Sequence, residues 1–288
     1  MNAMTLLRLR NAVLGRLMPE KTAVTFANYF LTPRLPAIKP WEQDVEQRGK
    51  RSFFGKDNQY SALHWSTDEN RTGQTVLLVH GWESRATHMS QLIEPLLALG
   101  LDVVAIDGPA HGQSAGTTSN PVAFAHAITA AERSFGPFVA IVGHSMGGAA
   151  VAIAGEFSVH PQSYVLLAAP ASLLQVLQSY ASFVGLPSRC RREFISAVES
   201  AVGVPASRIH TGQLLALCKK PTLIIHSSDD VEVPVMAAQH IQQSLPDAEV
   251  WHPSGLGHRR LLKDAQVAER VAQFIADNTS SIQQRRYG

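Results

Sequence analysis

The sequence predicts an α/β fold: a mainly parallel central sheet with helices on both faces. Three observations carry this. Short apolar runs recur along the chain with helical stretches between them, the pattern of strand–helix–strand units. Runs such as Thr75 to His80 (TVLLVH) and Asp102 to Asp107 (DVVAID) are continuous rather than alternating, as strands covered on both faces should be. With 45% hydrophobic and 17% charged residues over 288 positions, the chain can bury a large core.

Taken in order, residues 1 to about 50 read as a helical and extended segment, and 51–288 as the α/β domain. Leu6, Leu9, Val13, Leu14 and Leu17 recur at helical spacing, with arginines on the other face. That pattern suits a basic amphipathic helix lying on a membrane. The apolar face is short, so a helix packed on the main domain is expected. Pro33, Pro36 and Pro40 then make an extended connector. Ser61 to Ser66 is an early strand. Met89 to Leu99 is a helix stopped by Gly100. A helix over Pro121 to Phe135 precedes the strand Phe138 to Val142, and a small-residue helix follows over Gly147 to Phe157. Tyr164 to Ala168, Thr222 to His226 and Glu249 to Trp251 are further strands. Arg259 to Asn278 is a final amphipathic helix. The rhythm breaks between Ser172 and Leu217, which has helical periodicity and no strand. A helical cap inserted at about 170–217 explains it.

Charge and cysteine usage narrow the function. With 25 basic against 23 acidic residues the net charge is +2, and no basic stripe points to nucleic acid. Arg189, Arg191 and Arg192 fit a solvated helix face. Two stretches lack charge, Ser134 to Gly155 and Pro161 to Ser188, and each exceeds the roughly 20 residues that span a bilayer. Gly, Pro, Ser or Gln interrupt both, so buried strands running into buried helices are expected, with no integral membrane span. Arg8, Arg10 and Arg16 break the N-terminal apolar residues, leaving no secretory signal. Cys190 and Cys218 have neither zinc spacing nor a C-x-x-C motif, and read as reduced thiols of a cytoplasmic protein.

Gly143-His144-Ser145-Met146-Gly147 fits G-x-S-x-G and lies between a strand and a helix. The chemistry requires that setting: a serine on a sharp turn exposes its oxygen, and small residues on either side let strand and helix approach. A serine hydroxyl needs a base. His258 is the candidate, in the glycine-bearing loop Ser254-Gly255-Leu256-Gly257-His258 after the last strand. His252 adjoins strand residues and reads as structural. His80, His111 and His144 read as backbone partners. The base needs an orienting carboxylate. Asp229 and Asp230 both follow the strand TLIIH; Asp230 is preferred, with Asp229 as runner-up. Backbone N–H groups of Trp82, after the strand TVLLV, and of Met146 are the candidate oxyanion donors.

With these residues in chain order Ser145, Asp230, His258, the sequence resembles the α/β-hydrolase superfamily over about residues 60 to 278. Asp107-Gly108-Pro109-Ala110-His111-Gly112-Gln113-Ser114 is similar to the family's D-x-P-x-H-G-x-S loop, which shapes the floor of the site. The resemblance implies a sheet of about eight strands, no metal, no cofactor and a covalent acyl-serine intermediate. It implies a small-molecule ester or acyl compound as substrate and a carboxylesterase-like serine hydrolase as the function. Acyl transfer, thioester, C–C or peptide hydrolysis through the same triad, and a non-catalytic binding protein, remain as alternatives. Cap residues Leu173, Leu174, Leu177, Phe183, Val184 and Leu186 favour an apolar group or bury the cap itself. Glu193 and Glu199 would suit a substrate amine or, more simply, an exposed helix face.

Overall fold

The computed structural model describes residues 2–66 and 73–279. Eight strands form one sheet: β1 (Lys50–Phe54), β2 (Tyr60–Trp65), β3 (Thr75–Val79), β4 (Asp102–Asp107), β5 (Phe138–His144), β6 (Ser163–Leu167), β7 (Thr222–Ile225) and β8 (Glu249–Trp251). Their order is β1-β2-β4-β3-β5-β6-β7-β8. The pairings β1–β2 and β2–β4 are antiparallel, and the rest are parallel. The helices are α1 (Ala3–Leu17), α2 (Pro19–Leu31), α3 (Pro40–Arg48), α4 (Ile93–Ala98), α5 (Pro121–Phe135), α6 (Met146–Glu156), α7 (Leu173–Phe183), α8 (Ser188–Val202), α9 (Thr211–Cys218), α10 (Met236–Ser244), α11 (Gly257–Arg260) and α12 (Ala265–Asp277).

Continuous apolar runs become central strands because successive side chains enter different layers. In β3, Leu77 and Val79 join one core while Val76 and Leu78 join the other. All four are fully buried, each contributing about 1.5–3 kcal/mol relative to exposure. Side chains start the helices where expected. Asn120 accepts from the Ala123 N–H at 2.9 Å at the head of α5, and Pro121 occupies its first turn.

Several expectations need correction. Strand β1 was not foreseen. Pro40 opens helix α3 rather than extending the connector. The last helix is broken, because the Asp264 side chain accepts from Val267 N–H and starts α12 afresh. Within the interval read as a cap, α9 lies against α6 and α10. Leu173, Leu177, Val184 and Leu186 are buried in the core, whereas Phe183 is exposed. The Glu199 carboxylate accepts from Ala206 N–H at 2.8 Å, a structural use.

The N-terminal segment packs on the α/β core. Helix α2 buries Ala23, Phe26, Ala27 and Leu31 in the main core and packs along α8. Helix α1 is indeed packed, but not by its leucines. Its buried residues are Asn11 and Gly15. Asn11 Nδ2 donates to Val184 O at 2.7 Å, and at Gly15 a Cβ would sit 2.7 Å from Pro187. Because Asn11 is fully buried, Asn11→Ala strands an acceptor and should cost about 1–3 kcal/mol. Urea unfolding measures this, and an unchanged midpoint would contradict the seating of α1.

Candidate active site

The carboxyl ends of β3, β5, β7 and β8 open on one edge of the sheet, where doubly covered parallel sheets place their sites. Ser145 follows β5 with φ 53° and ψ −124°, a left-handed backbone that is costly for a side-chain-bearing residue. Its N–H donates to Leu167 O at 2.8 Å, fastening the turn to β6. Helix α6 then leaves so close to β3 that a Cβ at Gly147 would lie 2.4 Å from His80 O and 2.5 Å from Val79 O. The small residue in the motif is therefore a packing requirement.

His258, in the short helix α11, brings Nε2 to 2.9 Å from Ser145 Oγ. Its Nδ1–H donates to Asp230 Oδ2 at 2.7 Å. Asp230 Oδ1 accepts from the N–H groups of Glu232 and Val233, both at 2.9 Å. Burial pushes the Asp230 carboxyl up, but hydrogen bonds from His226, His258 and Val233 outweigh it and hold the group well below the usual carboxylate range. Asp229 points elsewhere. Its Oδ1 accepts from Ser227 Oγ and from the N–H groups of Gly255 and Gly257, anchoring the loop that carries His258. The two acids that the sequence leaves open thus have separate places.

His226 is a residue that sequence reasoning missed. It is fully buried, donates from Nε2 to Val233 O at 2.8 Å, and lies 3.4 Å from Asp230 Oδ2. Its signal was its place at the end of TLIIH, four residues before Asp230. His252 bonds the His226 carbonyl through Nδ1 at 3.1 Å, a structural contact.

Met146 opens α6, so its N–H has no acceptor within the helix. The loop after β3 passes close to the serine, since a Cβ at Gly81 would meet Ser145 Cβ at 2.8 Å. Among the described residues no backbone oxygen accepts from Trp82 N–H. Two neutral histidines hold this loop. His80 donates from Nδ1 to Gly81 O and accepts at Nε2 from Gly108 N–H at 3.0 Å. His111 donates to Pro109 O and accepts from Glu83 N–H at 3.1 Å. Asp107 braces the segment beneath, accepting from Ala86 N–H, Gln113 N–H, Ser61 Oγ and Arg51.

An aromatic layer adjoins Trp82. Phe30 of α2 stacks on it at 6.5 Å between centroids, and Tyr180 of α7 meets Phe30 at 4.9 Å. Phe194 of α8 completes the group. Phe30 had no motif to reveal it; only packing of α2 on α8 brings it here. Among the described residues no cluster of three or more His, Cys, Asp or Glu side chains is placed to hold a metal ion.

The sheet order, the serine turn and the edge on which the loops converge define an α/β-hydrolase architecture. Residues 76–270 match the alpha/beta hydrolase family, and the chain belongs to it. No curated protein matches the sequence. Among solved structures, the chain is similar to an esterase of Pyrococcus furiosus at 20% identity and TM-score 0.64, covering 86% of this chain and 97% of that one. A thioesterase domain from the curacin biosynthetic pathway matches at 17% identity and TM-score 0.58, covering 80% and 99%. A bromoperoxidase of Bacillus anthracis matches at 16% and 0.59, covering 79% and 100%. At these identities the likeness is one of fold.

The buried histidines give the protein a defined acid response. Burial pushes His144 down to about 3, with the neighbouring His258 adding to the effect. Burial likewise takes His80 well below its usual value. Both stay neutral when folded and gain a proton on unfolding below about pH 6.5. The unfolded chain then binds more protons, so stability is full above that pH and falls as pH falls. We expect the unfolding free energy to drop by roughly 1.4 kcal/mol per pH unit from His144 between about pH 6 and 4, with His80 acting in the same direction. A flat profile from urea titrations across that window would contradict this.

Proposed function

We propose that this protein hydrolyses a carboxylic ester through an acyl-enzyme on Ser145. The observation that carries the reading is the unbroken chain Ser145 Oγ, His258 Nε2, His258 Nδ1, Asp230 Oδ2, with links of 2.9 and 2.7 Å. In this reading Ser145 Oγ forms a bond to the ester carbonyl carbon and gives its proton to His258 Nε2. Asp230 stays ionised and holds the imidazolium. The carbonyl oxygen, now an oxyanion, takes hydrogen bonds from the N–H groups of Trp82 and Met146, each worth about 3 kcal/mol in the transition state. Collapse breaks the bond to the alcohol, which leaves with the proton from His258. Water repeats the sequence on the acyl-serine, with His258 again the base, and frees the acid.

Family membership and the esterase and thioesterase among the similar folds support acyl chemistry. Helices α2, α7 and α8 act as the cap here, and Phe30, Tyr180 and Trp82 favour an apolar acyl or alcohol group. The free thiols of Cys190 and Cys218 fit a reducing, cytoplasmic setting.

Steady-state assays on p-nitrophenyl esters of increasing chain length test the proposal. Ser145→Ala should remove nearly all turnover. Asp230→Asn should lower kcat about 10⁴-fold, while Asp229→Asn should leave kcat within about tenfold, because it touches the loop and not the imidazole. Wild-type turnover in Ser145→Ala, or a larger loss in Asp229→Asn than in Asp230→Asn, would sink it.

A further inference from the structure

Helix α1 faces the opposite way from an ordinary surface helix, which buries its apolar stripe. It is seated through its polar and smallest positions. Asn11 and Gly15 are buried against Val184 and Pro187, and Arg8 Nε donates to Phe183 O at 2.7 Å. The leucine row points outwards: Leu6 is 51% exposed, Leu9 57%, Val13 47% and Leu17 73%. At 3.6 residues per turn these four fall within an arc of about 80°, centred directly opposite Asn11 and Gly15. Arg10 and Arg16, both exposed, flank the row on its two sides rather than lying on the face opposite to it.

The charges name the occupant. Residues 1–19 carry Arg8, Arg10 and Arg16 and no acidic residue. A second copy seated by two-fold symmetry would bring like-charged arginines together around the leucines. An anionic bilayer surface complements them. The leucines would enter the acyl boundary while the arginine stems run along the helix and their heads meet lipid phosphates. No described helix is long and apolar enough to cross a membrane, so the contact is one of lying on the surface.

We propose that α1 docks this protein flat on an anionic lipid surface, with Leu6, Leu9, Val13 and Leu17 inserted and Arg10 and Arg16 on the phosphates. The inference rests on the helix alone and does not depend on the chemistry at Ser145.

Flotation of the full chain with phosphatidylglycerol–phosphatidylcholine vesicles, against pure phosphatidylcholine vesicles, tests it. The protein should float with the anionic vesicles at least about tenfold better than with neutral ones and be released by high salt. Leu9→Asp/Val13→Asp and, separately, Arg10→Glu/Arg16→Glu should each lose about tenfold or more in binding while keeping the wild-type far-UV spectrum. Failure of the wild-type protein to float with anionic vesicles would overturn the proposal, whatever the variants do. So would flotation unchanged by Leu9→Asp/Val13→Asp. A wild-type dimer that does not float, and that this variant dissociates, would assign the face to a second copy instead.

Discussion

The backbone of Ser145 is held in a left-handed conformation that costs of order 1–3 kcal/mol. Three surroundings keep it there. The Leu167 carbonyl takes its N–H, β5 is buried along its whole length, and α6 is pressed onto the end of β3 at Gly147. Each belongs to the core rather than to the site. Burial of β3, β5 and α6 supplies many times the strain, so the serine cannot relax without dismantling the sheet. The same turn leaves Met146 N–H at the head of α6 without an intrahelical acceptor. One constraint therefore exposes the hydroxyl and orients a donor together.

Around that turn, side-chain polar groups join the loops. His80 ties the loop after β3 to Gly108, His111 ties Glu83 to Pro109, and His144 donates to the carbonyl of His258. Asp229, itself exposed, holds the His258 loop through two backbone N–H groups. The buried imidazoles are costly when left unpaired, which makes their geometry specific. Neutral imidazoles suit the task, since each offers one donor and one acceptor without a buried charge.

How much of this was legible in the sequence follows from where the signal lies. The parallel strands show because burial on both faces demands contiguous apolar residues, and the serine turn shows because its steric requirements fall on five consecutive positions. Strand β1, KRSFF, is an edge strand with only Phe54 buried, so it carries no such run. The break before α12 depended on one capping side chain, Asp264. Asp229 and Asp230 are neighbours with the same chemistry; only their directions in space separate them. Phe30 reaches Trp82 through the packing of α2 on α8, a contact between distant segments that periodicity does not encode. In α1 the periodicity is plain, but its usual meaning inverts: the apolar row marks the exposed face.

In the proposed mechanism the strained turn presents Ser145 Oγ to His258 as a reactive nucleophile. Labelling folded protein with a fluorophosphonate probe, read by intact mass and peptide mapping, tests this. A single adduct is expected, on Ser145, whose formation is lost or slowed by orders of magnitude in His258→Ala. A folded wild-type protein that stays unmodified, or that carries the label elsewhere, would contradict it.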